Sequence, residues 1–220
     1  MKINYSTIKH YLKNVLFING TAYAGKSTMV KMLADKYDLI HCGENYQCVP
    51  DGLTSPETHP NLCYFQTMSG WAEFVSRTPD EYLSWINGCT QELIEFEITY
   101  LISIARDRKV IVDTNLPMHV LREIADYNQV AIMLALPHIS VEHFFNRNDD
   151  KPFLLVQIMK LDDPEKGLAN YRNILEKINS QEAYDEWLNS GFFTLERKDT
   201  TQDTKAATLE ILAKHFGLTS

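Results

Sequence analysis

Short apolar runs alternate with amphipathic stretches along the whole chain, and this alternation predicts strands and helices in turn. The run at 130–136 is continuously apolar, which is typical of a strand that is covered on both faces of a sheet. Strand–helix–strand units favour an α/β fold built on a parallel sheet. The predicted strands are Val15–Asn19, Leu39–Cys42, Val110–Asp113, Val130–Leu136 and Phe192–Glu196.

Apolar residues that recur three and four positions apart predict the helices between these strands. The longest helix should begin at Pro79, because Thr78 and Glu81 have the spacing of a capping box around it. Residues 44–61 include three prolines and predict an irregular segment. The predicted helices are Lys26–Tyr37, Leu62–Ser76, Pro79 to about Arg108, Leu116–Tyr127, Ser140–Arg147, Asp163 to about Asn189, and Thr204–Phe216.

Length and charge limit the classes of protein to which this chain could belong. With 220 residues and no linker, it should form a single domain spanning 1–220. It has 29 acidic and 21 basic residues, a net charge of −8, which argues against nucleic acid as a partner. The longest apolar run has seven residues, against roughly 20 in a membrane-spanning helix, so we expect no membrane segment and a cytoplasmic protein.

One segment carries a specific chemical signal. The stretch Gly20-Thr-Ala-Tyr-Ala-Gly-Lys-Ser27 fits the pattern G-x-x-x-x-G-K-[ST] and lies between a predicted strand and a predicted helix. Glycines let backbone N–H groups turn inward around an anion, and the helix directs the positive end of its dipole to the same place. The residues predicted to bind a nucleotide are Gly20, Thr21, Ala22, Tyr23, Ala24, Gly25, Lys26, Ser27 and Thr28, hereafter loop 20–28.

Within this loop, three side chains have expected roles. Lys26 supplies a mobile ammonium for the β- and γ-phosphates, the Ser27 hydroxyl is a ligand for Mg²⁺, and Thr28 reaches the α-phosphate. The sequence therefore predicts ATP and Mg²⁺ as cofactors.

On these residues the chain resembles the P-loop kinases of small molecules and nucleotides, over nearly its whole length. Besides the loop, the resemblance rests on Asp113 at the end of the third strand, Arg147 after the fourth and Arg197 after the fifth. It implies a three-layer P-loop NTPase fold: a five-stranded parallel sheet of order 2-3-1-4-5 with helices on both faces. It further implies an acceptor-binding insertion at about 44–108 and a lid at about 145–163.

The same resemblance implies roles for single residues. Asp113 would act as a Walker-B-like acid that holds Mg²⁺ through water, so Ser27 and Asp113 are the expected metal site. Arg147, with Lys151, would close over the transferring phosphate, and Arg197 would stack on the adenine.

The acceptor is inferred from the charges after the second strand. Between Lys36 and Arg106 the one Lys or Arg is Arg77, whereas kinases of nucleoside monophosphates resemble one another in having several arginines there. We therefore expect an uncharged or cationic acceptor that carries a hydroxyl. Glu44, two residues past the second strand, is the candidate general base, because a carboxylate there resembles the base of chloramphenicol phosphotransferases and deoxynucleoside kinases.

Two other functions remain open from the sequence. The chain could be a nucleoside or nucleotide kinase, or a regulatory protein that binds a nucleotide without any acceptor. The N-K-x-D motif by which GTPases resemble one another is absent from the sequence. The sequence is compatible with a monomer or a homodimer and with several acceptors and pathways, and Glu44 enters as a candidate base.

Overall fold

A computed structural model describes residues 5–146, 151–198 and 202–218. Within these ranges five strands form one sheet, and every neighbouring pair is parallel. The order across the sheet is β2-β3-β1-β4-β5, which confirms the predicted α/β class, the parallel sheet and its order. The strands are β1 (Val15–Gly20), β2 (Ile40–Cys42), β3 (Val110–Asp113), β4 (Val130–Ala135) and β5 (Phe193–Arg197).

Helices alternate with the strands along the chain. The helices are α1 (Tyr5–Tyr11), α2 (Lys26–Tyr37), α3 (Tyr64–Thr67), α4 (Trp71–Val75), α5 (Pro79–Ile104), α6 (Met118–Ile124), α7 (Pro137–Glu142), α8 (Lys151–Ile158), α9 (Pro164–Ile178), α10 (Gln181–Leu188) and α11 (Lys205–His215). Short 3₁₀ turns occur at Tyr127–Gln129 and Phe144–Asn146. Among the helices of the described ranges, none is of the length and apolarity that crossing a bilayer requires.

The chain divides into two compact units. The first comprises Met1–Val49, Ile94–Ala135 and Asp185–Ser220, and it contains the sheet. The second comprises Pro50–Leu93 and Leu136–Tyr184, and the regular structure of its described residues is helical.

The core of the first unit lies on the sheet. Strands β3 and β4 are buried along their full length, as are the first five residues of β1, which explains their continuously apolar sequences. Alternate residues such as Leu16 and Ile18 meet α2 and α11 through Leu33 and Leu212, all four being buried. This packing holds the start of α2 beside the end of β1.

The core of the second unit is rich in aromatic rings. Each ring of this aromatic cluster lies within 6.2 Å of at least one other, in tilted or edge-on arrangements. The aromatic cluster consists of Tyr64, Phe65, Trp71, Phe74, Tyr82 and Trp85. The capping box predicted at the start of α5 is present: the Thr78 amide donates to Glu81 and the Glu81 amide donates to the Thr78 hydroxyl.

Several helix boundaries differ from the prediction. The stretch 62–76 forms two short helices instead of one, because the Ser69 amide and hydroxyl donate to Glu73 and start a new helix. The long helix predicted from Asp163 is two helices, since α9 ends where the Asn179 side chain donates to the Leu175 carbonyl. Helices α1 and α8 were not predicted, and α5 ends four residues early.

Candidate functional site

Loop 20–28 connects β1 to α2, as its sequence predicts. Gly20 and Gly25 both have φ angles in the left-handed region, +130° and +89°. A Cβ atom on Gly20 would lie 1.9 Å from the Met133 carbonyl oxygen, so no larger residue fits there. Gly25 is the N-cap of α2 and has no side chain, so the first-turn amide groups receive no side-chain cap.

Three predicted side chains meet at the start of α2. The Ser27 hydroxyl donates to Oδ2 of Asp113 at 2.7 Å, and Lys26 Nζ lies 3.9 Å from Oδ1 of the same carboxylate. Lys26 Nζ also donates to the Thr21 carbonyl at 3.1 Å. Asp113 ends β3 and is 5% exposed. The structure thus brings together Lys26 and Ser27 from one element and Asp113 from another.

Thr21 anchors the loop to the neighbouring strand. Its amide donates to the Met133 carbonyl at 3.1 Å, and its hydroxyl accepts from the Ala135 amide at 2.7 Å. Ala24 is buried in the core against α2 and α11. Thr21 therefore attaches the loop to β4, and Ala24 attaches it to the core.

A cavity of about 620 Å³ opens beside the loop within the first unit. Gly25 and Thr28 form part of its wall, together with apolar side chains of Met29 and Ile211. Arg197, at the end of β5, also lines it and donates to the Tyr23 carbonyl at 3.2 Å. A volume of this size is in the usual range for small-molecule sites.

The oxygen atoms of Ser27 and Asp113 suit a hard divalent cation. Mg²⁺ prefers oxygen ligands and typically takes one or two protein carboxylates or hydroxyls, with waters and phosphates completing the set. Ser27 Oγ and Asp113 Oδ2 are 2.7 Å apart, which is close enough for both to interact with one ion. No group of three or more His, Cys, Asp or Glu side chains suited to a metal occurs in the described ranges. These two residues therefore fit Mg²⁺ bound together with a phosphate.

A buried acid that the sequence analysis did not single out lies near Asp113. Glu97, on α5, is 6% exposed, and burial raises the pKa of its carboxyl to about 7. The Asp113 carboxylate contributes to this rise, while hydrogen bonding with the Thr114 and Tyr46 side chains partly offsets it. The contact between Glu97 and Tyr46 is a weak one, since Oε1 of Glu97 and the Tyr46 hydroxyl are both buried without a hydrogen bond of normal geometry to any described residue.

Two thiols share the surroundings of Glu97. Burial, with a smaller contribution from the neighbouring Glu97, raises the pKa of both Cys42 and Cys48 to about 11. All four cysteines are free. In the sequence Glu97 is one of several acids on α5, but it falls four residues before Leu101, which is fully buried. That spacing is the signal that could have identified it.

The remaining predicted residues lie as follows. Glu44 is exposed, two residues after β2, so its position in the chain is as expected while its role stays a prediction. Arg147 lies outside the described residues, and the side chain of Lys151 is likewise not described. Of the segment at about 145–163 predicted to form a lid, residues Lys151–Ile158 form α8, and the role of the segment stays a prediction.

Comparison with family models, with curated proteins and with solved structures finds no match to this chain in any of the three.

Proposed function

We propose that the chain is an ATP- and Mg²⁺-dependent kinase with a P-loop NTPase fold, which transfers the γ-phosphoryl group to a hydroxyl of a small acceptor. The observation that carries the proposal is the convergence of Lys26, Ser27 and Asp113 at the uncapped start of α2. An ammonium, a helix N-terminus and two oxygen ligands together match the charges of a nucleotide's phosphates and its cation.

In this proposal the start of α2 acts on the phosphates and on the cation. The amides at the start of α2 donate to phosphate oxygens, and Lys26 exchanges its contact with Thr21 for the β- and γ-phosphates. Ser27 and Asp113 would hold Mg²⁺, which when bound neutralises charge on the phosphates. The cavity beside Gly25 takes the base and ribose, with Arg197 against the ring.

The chemical step needs a proton acceptor. As the acceptor oxygen bonds to the γ-phosphorus, the bond from phosphorus to the β–γ bridging oxygen breaks, and ADP leaves. Glu44 takes the hydroxyl proton in the same step, and Arg147 stabilises the charge of the transferring group. Because phosphoryl transfer depends mainly on positioning, a base contributes about 10²–10⁴-fold.

The acceptor is proposed to carry no phosphate. Arg77 lies in the second unit with its guanidinium 3.7 Å from the centre of the Tyr64 ring, and Phe74 and Trp85 are within 5.7 Å. The one arginine of this segment therefore stacks on aromatic rings, and its Nη1 is buried without a hydrogen-bond partner among the described residues. A phosphate-bearing acceptor would call for a cluster of such groups.

The first experiment is titration calorimetry of ATP and MgCl₂ into the purified protein. We expect Lys26→Ala to weaken ATP binding by about 100-fold, since it removes the cation from the phosphates. The matched control is Lys31→Ala, on the same helix, because Lys31 is exposed and pairs with Asp35. Equal affinity of wild type and Lys26→Ala for ATP would contradict the proposed nucleotide site.

The second experiment measures ADP release with a panel of acceptors. We expect nucleosides, sugar alcohols or hydroxyl-bearing antibiotics to accelerate ATP turnover more than AMP, CMP, GMP or UMP does. Faster turnover with the monophosphates would instead make the protein a nucleotide kinase. ATP binding without stimulation by any acceptor would favour the regulatory class.

With an active acceptor in hand, Glu44→Gln tests the base. We expect turnover to fall about 10²–10⁴-fold while the affinity for ATP stays unchanged. Asp51→Asn is the control, since Asp51 is another exposed acid that follows β2. Unchanged turnover in Glu44→Gln would remove this residue from the mechanism.

A further inference from the structure

Asn19 is a buried amide that bridges two separate parts of the candidate site. It lies in β1 next to Gly20 and is fully buried. Its Oδ1 accepts from the Gly20 amide at 2.7 Å, and its Nδ2 donates to the Leu116 carbonyl at 2.8 Å. One side chain therefore contacts both the first residue of loop 20–28 and a residue 97 positions away in sequence.

On the loop side, this contact completes the restraint on Gly20. The Cβ position of Gly20 faces the Met133 backbone at 1.9 Å, and the next amide, of Thr21, donates to the same Met133 carbonyl. With its own amide held by Asn19, Gly20 is restrained by β4 on one side and by Asn19 on the other. The direction in which the loop leaves β1 is thereby set.

On the opposite side, the contact restrains the residues that follow Asp113. The Thr114 amide donates to the Ile18 carbonyl at 3.0 Å, and the Thr114 hydroxyl accepts from the Leu116 amide at 3.0 Å. The Leu116 carbonyl then accepts from Asn19. The connection Asp113–Leu116 is tied to β1 at both of its ends.

We propose that Asn19 is a positioning residue that locks loop 20–28 and the Asp113–Leu116 connection into one arrangement, so that Ser27 and Asp113 meet on the same divalent cation. The proposal rests on the proposed function for its cation, whereas the mechanical coupling rests on the hydrogen bonds alone. Neither atom of the Asn19 amide contacts a phosphate in this role, because both are engaged with backbone.

A second buried amide supplies a matched control at the other end of β1. Gln129 is 5% exposed, and its Nε2 donates to the carbonyls of Leu12 and Val15, while its Oε1 accepts from the Asp126 amide. It thus bridges the chain as Asn19 does, but away from the loop. Substituting it disturbs the fold without touching the link between Gly20 and Leu116.

The first test is hydrogen exchange on the protein without nucleotide, comparing Asn19→Leu and Gln129→Leu with wild type. We expect Asn19→Leu to speed exchange about tenfold or more in both 20–28 and 113–117, the size of effect that losing a buried hydrogen bond produces. Gln129→Leu should leave both segments at wild-type rates and speed exchange at 12–15. A change at 20–28 alone, or equal changes in both variants, would overturn the proposal.

If Asn19→Leu fails to fold, Asn19→Ser is the second variant. Serine is smaller and polar, so it leaves room for a water molecule that can satisfy the buried backbone groups. If neither variant folds, wild-type protein decides. The lock requires the amides of Gly20 and Leu116 to exchange with one opening free energy in native-state exchange at increasing urea. Two different opening free energies would overturn it.

The final test measures binding of a fluorescent ADP analogue with and without MgCl₂. We expect Asn19→Leu to reduce the Mg²⁺-dependent gain in affinity about tenfold, with a smaller change in EDTA, and Gln129→Leu to retain the gain. Full retention in Asn19→Leu would overturn the positioning role. If wild type binds no nucleotide at all, the proposed kinase fails, whereas the exchange experiments still decide whether Asn19 couples the two segments.

Discussion

The candidate site of the first unit and the aromatic cluster of the second treat a carboxyl group in opposite ways. At the candidate site, Glu97 is buried, and its pKa is raised to about 7 chiefly by that burial. Beside the aromatic cluster, Glu73 accepts hydrogen bonds from the Ser69 hydroxyl, the Tyr64 hydroxyl and the Ser69 amide, and these lower its pKa to about 2.

The difference shows that the charged form of Glu73 stabilises the fold, whereas the charged form of Glu97 destabilises it. Glu73 lies in the first turn of α4 and is exposed, and its carboxylate accepts hydrogen bonds from Ser69 and Tyr64. One oxygen of Glu97 is buried near Asp113 without a hydrogen bond of normal geometry, and burying such a group costs stability. Perturbed acids of the second kind cluster at functional sites, which agrees with the proposed role of Asp113.

The largest expected effect concerns the aromatic cluster. Phe74 is 2% exposed and contacts all five other rings of the cluster as well as the Arg77 guanidinium. Phe74→Ala should lower the free energy of unfolding by about 4 kcal/mol, through lost burial and the cavity left behind. Urea denaturation measures this. Phe65→Ala, at a ring that is 45% exposed, is the control and should lower it by clearly less; equal losses would show that the cluster has no centre.

The next effect is the pH dependence contributed by Glu97. Its pKa is higher in the folded state than the ordinary value of 4.5, so the folded state binds the extra proton between pH 4.5 and 7. The stability associated with the protonated carboxyl is complete below pH 4.5 and is lost as the pH rises through 7. Relative to Glu97→Gln, wild type should therefore lose about 3 kcal/mol across this window.

Urea denaturation in EDTA at several pH values measures the Glu97 effect. The titratable groups near Glu97 are Asp113, Tyr46, Cys42 and Cys48. EDTA is included because a divalent cation bound to Asp113 would change the pKa of Glu97. Glu95→Gln is the control, because Glu95 is exposed on the same helix. A difference between wild type and Glu97→Gln that stays constant from pH 4 to 8 would contradict the buried acid.

The smallest effect belongs to Glu73 and has the opposite sign. Its folded pKa of about 2 lies below the ordinary 4.5, so its stabilising contribution is present above pH 4.5 and is lost as the pH falls through 2. Glu73→Gln should remove part of the acid sensitivity with little effect at neutral pH, because the group is exposed. Carboxyl NMR titration should show a midpoint near 2. A midpoint near 4.5 would mean that the hydrogen bonds from Ser69 and Tyr64 do not form in solution.

Much of the framework was predictable because it depends on local pattern. The continuous apolar runs of β1, β3 and β4 mark buried parallel strands, and the pair Thr78 and Glu81 marks the start of α5. The motif with Gly20 and Gly25 placed loop 20–28 between strand and helix, as observed. These features are legible because each depends on residues within a few positions of one another.

What was missed depends on contacts between distant residues. The breaks at 68–70 and 179–180 arise where side chains bond to backbone in competition with the helix. The spacing of Glu97 from Leu101 indicates that it is buried, but the rise of its pKa could not be predicted from the sequence. Only the neighbourhood of Tyr46, Thr114 and Asp113 makes it unusual.

The amino-acid sequence alone determined which segments become strands, which loop has the glycines and the lysine for an anion, and the acidic balance of the chain. The tertiary structure decided that Asp113 meets Ser27, that Glu97 is buried without a full set of partners, and that Asn19 joins Gly20 to Leu116. The physical reason is range. Backbone conformation and apolar periodicity are set by near neighbours, whereas desolvation and hydrogen bonding across 86 or 97 positions exist only once the chain has packed.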